Sequence, residues 1–71
     1  MEYFKEWRAA DRAAVAAEKQ IYSASMLLMD GRGPGPTEEE IARAHHLRQI
    51  ADDLFAVAMR EIAQVSHSLR H

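Results

Sequence analysis

The chain has no cysteine, which removes disulfides from the devices that stabilise small folds and thiolates from any catalytic or metal-binding scheme. It also lacks a long hydrophobic run. The longest, Leu54 to Met59, falls far short of the roughly 20 apolar residues that span a bilayer, so no membrane association is expected. Residues 1–20 are punctuated by Glu2, Lys5, Glu6, Arg8, Asp11, Arg12, Glu18 and Lys19, leaving no room for the apolar stretch of a secretory signal. The expected compartment is the cytoplasm. Neither sign of charge dominates: the formal net charge is −2, so no overall field points to nucleic acid or an anionic membrane. Glycine and proline are scarce, and all of them fall between Gly31 and Pro36. The rest of the chain is free of helix breakers.

Apolar residues make up 48% of the sequence and charged residues 28%, which is ordinary globular usage and excludes the low-hydrophobicity signature of disorder. Seventy-one residues allow one small domain, and a chain this short buries too little surface for a deep core. With disulfides excluded, self-association becomes the expected supplement.

From the start of the chain, Tyr3, Trp7, Ala10, Ala14, Ala17, Ile21, Ala24 and Leu28 recur at alternating spacings of four and three. That pattern marks a helix with a coiled-coil-like seam over about residues 2–30. Half of the seam is alanine, which favours helix and leaves a shallow groove for close approach of a neighbour. Asp30-Gly31 supplies a C-terminal stop, and the turn at 31–36 contains two prolines that disfavour helix. Thr37-Glu-Glu-Glu40 then reads as a capping box opening a second helix over about 37–68. On this helix Ala44, Leu47, Ile50, Ala51, Leu54, Phe55, Val57, Ala58, Ile62, Val65 and Leu69 share one broad face, wider than a single neighbour covers.

The expected architecture is therefore all-α: an antiparallel two-helix hairpin in a single domain, dimerising into a four-helix bundle. A short turn places residues whose numbers sum to about 67 side by side. That register sets Trp7 and Arg8 near Glu61, the acid that interrupts the apolar face, and Glu61 reads as a register device. A second apolar stripe on the first helix, Phe4, Val15, Tyr22, Met26 and Met29, lies about 100° from the seam. Together with Trp7 and Phe55, it is the expected interface with a second copy or with another helical protein.

No motif commits the chain to catalysis. Ser23, Ser25, Ser66 and Ser68 lack a nucleophile elbow or an evident base. His67 and His71 are four apart and share a helical face, but two ligands leave a tetrahedral zinc site half built. His45 and His46 are adjacent and point about 100° apart, which prevents shared ligation on a regular helix. Neither metal nor other cofactor is expected. The remaining signal is a basic stripe of Lys5, Arg8, Arg12 and Lys19 on the outer face of the first helix, a surface able to follow nucleic-acid phosphates. The expected function is thus a noncatalytic helical interaction protein, with a nucleic-acid-binding regulator as the alternative.

Overall fold

The computed structural model describes the backbone of residues 2–69 and the side chains of residues 4–68. Tyr3, Leu69 and His71, which entered the seam, face and histidine readings above, lie outside the described side chains. Two helices, α1 (Glu2–Met29) and α2 (Glu38–Leu69), pack against each other as a hairpin, and no strand occurs among the described residues. The radius of gyration is 17.1 Å, whereas a compact chain of this length has about 11 Å. The molecule is a rod two helices wide.

Both ends of the connection are closed by local hydrogen bonds. The Arg32 N–H donates to the Leu27 carbonyl at 2.8 Å and the Gly31 N–H to the Leu28 carbonyl at 3.0 Å. This is a Schellman motif, and it requires the left-handed conformation that Gly31 adopts at φ 73°. At the start of α2, the Thr37 N–H donates to Glu40 Oε1 and the Glu40 N–H to Thr37 Oγ1, both at 3.0 Å. The capping box is therefore formed, and it satisfies two donors that the helix cannot satisfy itself.

Between these caps the chain does not simply cross from one helix to the other. It turns back along the last turn of α1, with Gly33 against Leu27 and Gly35 against Leu28. A Cβ at Gly35 would lie 2.9 Å from Leu28 Cδ2, and its φ of 85° is itself unfavourable to other residues. Gly35→Ala is therefore expected to destabilise the hairpin by about 1–2 kcal/mol. A thermal melt followed by circular dichroism checks this; an unchanged midpoint would show that the loop does not dock on Leu28.

This return path resets the register. Because the loop descends beside α1, α2 starts lower than a simple crossing would place it. Trp7 packs on Phe55 with ring centroids 5.3 Å apart, so facing residues at the open end sum nearer 62 than the expected 67. Glu61 is half-buried but makes neither a hydrogen bond to Trp7 nor an ion pair with Arg8. Residues 63–68 are all exposed, as follows if α2 runs past the start of α1.

The seam is made of alanine. Ala14, Ala17, Ala44, Ala51 and Ala58 are the buried apolar residues, and no large side chain is fully buried. On α2 they recur every seventh residue, the interval at which a helix presents one face to a neighbour. Trp7, Ala10, Ile21 and Ala24 of the predicted α1 seam are half-buried beside them, whereas Leu28 is exposed under the loop end. Leu47, Leu54, Val57 and Ile62 are half-buried, and Ile50, Phe55 and Val65 are exposed.

Candidate functional site: the two faces of the hairpin

A two-helix rod has no interior to hold a ligand, so its functional surfaces are its two broad faces and its outer edges. Contacts between the helices identify which residues share a face. Arg48 of α2 reaches across to α1, where Nη1 donates to Asp11 Oδ1 at 2.9 Å, Nη2 to Glu18 Oε1 at 2.7 Å and Nε to Glu18 Oε2 at 3.0 Å. Asp11 and Glu18 lie seven residues apart, so two turns of α1 present both carboxylates on one side. The guanidinium sits between them, bidentate to Glu18, as its planar fork favours.

This clamp, together with the Trp7–Phe55 contact, fixes one broad face. Phe4 stands edge-on to Trp7 with centroids 6.2 Å apart, forming an aromatic cluster at the open end. At about 100° per residue, Val15, Tyr22 and Met29 of α1 and Ile41 and Met59 of α2 fall on the same side, with Met26 at its outer border. All of them are exposed, Tyr22 at 67% and Met29 at 78%. The expected interface residues Phe4, Trp7, Val15, Tyr22, Met26, Met29 and Phe55 are thus brought together along one side. Across the middle of that side, however, runs a charged belt of Asp11, Glu18, Arg48 and the exposed Asp52.

The clamp has a consequence for pH. Hydrogen bonding from Arg48 lowers the pKa of Glu18 below the ordinary glutamate value of 4.5, and the Thr37 backbone and hydroxyl do the same for Glu40. A carboxylate whose folded pKa is depressed stabilises the fold fully above its unfolded pKa, and that stabilisation is lost as pH falls through the folded value. Helicity is therefore expected to hold down to about pH 4.5 and to decline below it. A variant with Glu18→Gln and Glu40→Gln should be less helical than the wild type near neutrality and converge with it in acid. A difference that persists at low pH would show that these carboxylates are not the titrating groups.

The opposite face carries Glu6, Ala13 and Gln20 of α1 and, on α2, Arg43, Leu47, Ile50, Leu54, Val57 and Glu61. Along α2 these six follow the four-three spacing of a second seam, lying about 100° round from the buried alanines. Its centre is free of charge.

The other sequence-derived candidates are dispersed. Lys5, Arg8, Arg12 and Lys19 are all exposed on the outer side of α1, and none makes an ion pair within 4.0 Å among the described residues. His45 and His46 are exposed, with His45 beside Glu18 at a shallow hollow also lined by Ile21 and Ala44. His67 is exposed near the end of α2. Among the described residues, no three His, Asp or Glu side chains converge as a metal site, and no helix is long and apolar enough to cross a membrane. Sequence reasoning missed Arg48. Its signal was the pair of acids, Asp11 and Glu18, bordering the second apolar stripe two turns apart.

No family model matches the chain, and neither a curated protein nor a solved structure matches it. The geometry alone carries the reading that follows.

Proposed function

We propose that the chain is a small noncatalytic interaction protein that works through its helical surfaces, self-associating into a four-helix bundle. The supporting observation is exposed area. The chain exposes 5828 Å², whereas a compact monomer of 8.1 kDa exposes roughly 4,500 Å². The excess of roughly 1,300 Å² per chain would give a dimer an interface in the range of obligate homodimers. A seam of alanines cannot substitute for that burial, because each contributes little apolar area.

The test is absolute mass by sedimentation across a dilution series, with helicity recorded on the same samples. Folding linked to association predicts a helical dimer that loses helicity as it dissociates. A stable, folded monomer indifferent to dilution would overturn the proposal, and a poorly helical monomer would assign the surface to a different helical protein.

The unpaired basic stripe supports a second reading as a nucleic-acid-binding regulator. Lys5, Arg8, Arg12 and Lys19 lie on the side of α1 away from α2, so pairing between hairpins leaves them available to phosphates. Binding to duplex RNA or DNA at low salt should then be lost when the four are neutralised. Absence of binding by the wild type under those conditions removes this reading.

A further inference from the structure

Granting self-association, the two broad faces are not equivalent as places for a second copy. The aromatic and methionine face is divided at mid-length by Asp11, Glu18, Arg48 and Asp52, whose formal charges leave an excess of negative charge. Two such belts brought together would oppose like charges in a setting of reduced solvent, where repulsion costs most. The opposite face has a different layout. Leu47, Ile50, Leu54 and Val57 form an uncharged centre on α2, and the charges stand toward its two ends, Arg43 at the loop and Glu61, with Glu6 of α1 at the level of Val57, toward the open end.

That order reads the same way from either direction when two copies run antiparallel. With a two-fold axis at the level of residue 52, Ile50 meets the partner's Leu54, and Leu47 meets the partner's Val57. Arg43 meets the partner's Glu61, and symmetry repeats each pairing. The numbers in each pair sum to 104 for every position of the seam. Neither Arg43 nor Glu61 has an ion-pair partner within its own chain among the described residues, although Glu61 is half-buried. The α1 side of this face bears small residues, Ala13 and Ala17 among them, which permit close approach.

We propose that a second copy of this chain packs antiparallel on the Arg43–Leu47–Ile50–Leu54–Val57–Glu61 seam of α2, with Arg43 of each copy paired to the partner's Glu61. The exposed stretch of α2 beyond residue 62 then lies beside the loop end of the other hairpin. The ion pairs at the two ends set the antiparallel sense, while the uncharged centre supplies the burial. In a parallel pairing positions 43 and 61 sit at opposite ends, about 27 Å apart along the helix, and cannot compensate each other.

Charge reversal tests this with the full chain, read by sedimentation across a dilution series. Arg43→Glu alone and Glu61→Arg alone should each weaken homodimerisation by about tenfold or more, since each creates two like-charge pairs. An equimolar mixture of the two single variants should pair as tightly as the wild type, and the double variant carrying both changes should dimerise normally. If the single variants dimerise like the wild type, the seam is not the interface. If they weaken but neither the mixture nor the double variant recovers, the two positions do not meet and the antiparallel register is wrong. A wild type that is a folded monomer at every concentration overturns the underlying self-association reading, an outcome distinct from either of these.

Discussion

Replacing Ala51 with leucine is expected to lower the melting midpoint of the hairpin by about 4–24 °C, at about 4–8 °C per kcal/mol for a domain of this size. Ala51 is 0% exposed, lies at the middle of α2, and belongs to the repeat at which the helices touch. Leucine is nearly as good a helix former as alanine and is more hydrophobic, so propensity is close to neutral and transfer energy favours the change. Packing opposes it. Where two helices meet on alanine, the added branched carbons have no cavity to enter, and the helices must separate along their whole contact. Overpacking of this kind costs about 1–3 kcal/mol, against a total stability of about 4–10 kcal/mol for a domain of this length. Ala56→Leu is the matched control, because Ala56 is exposed on the same helix and should leave the midpoint nearly unchanged. If the two variants melt alike, the alanine seam does not set the helix spacing.

The alanine seam also marks how far the sequence discloses the structure. Helix positions were legible because periodicity, the glycine stop and the Thr37–Glu40 box are local signals, each acting within one or two turns. That α1 would meet its neighbour on Ala14 and Ala17 was contained in the same pattern, but the register summing to about 67 set the large residues Leu54 and Ile50 of α2 opposite them, whereas the structure buries Ala44, Ala51 and Ala58. The register was less legible. Counting across the turn assumes that all its residues span the gap, whereas Gly33 and Gly35 fold back onto Leu27 and Leu28 and consume length along α1. The small size of glycine permits that docking, but its presence alone is equally consistent with an open turn. The consequence reaches the far end, where Trp7 meets Phe55 and Glu61 is left to another role.

The Arg48 clamp was illegible for a related reason. Arginine has a long, flexible side chain, so a contact such as Arg48 to both Asp11 and Glu18 depends on the register and on which flank of the seam each residue occupies. A helical wheel gives the flank for each helix separately. It does not say which flanks adjoin until one contact between the helices is known. Once Trp7–Phe55 or the clamp is in place, the remaining assignments follow, including the uncharged seam from Leu47 to Val57 on the other side.

Trp7→Ala is expected to be the second large perturbation, about 2–3 kcal/mol. Among the described residues, Trp7 is the only aromatic residue whose ring meets aromatic rings of both helices: it lies against Phe4 of α1 at 6.2 Å and Phe55 of α2 at 5.3 Å. Fully buried tryptophans cost about 3–5 kcal/mol on truncation, and the half-buried state of Trp7 reduces that figure. The loss should be uneven along the rod. The Schellman and capping motifs still hold the loop end, so the open end frays first, and amide exchange should accelerate in residues 4–14 and 52–62 before it does so beside the loop. Because Trp7 is the sole tryptophan, Phe55→Ala supplies the complementary readout, with the emission of Trp7 shifting to the red as its ring loses the α2 contact. Uniform exchange along both helices in Trp7→Ala would mean that the hairpin unfolds as one unit and that the aromatic cluster is not a separate clasp. Fraying confined to the open end would instead divide the labour between that clasp and the seam, leaving the centre of α2 intact to pair.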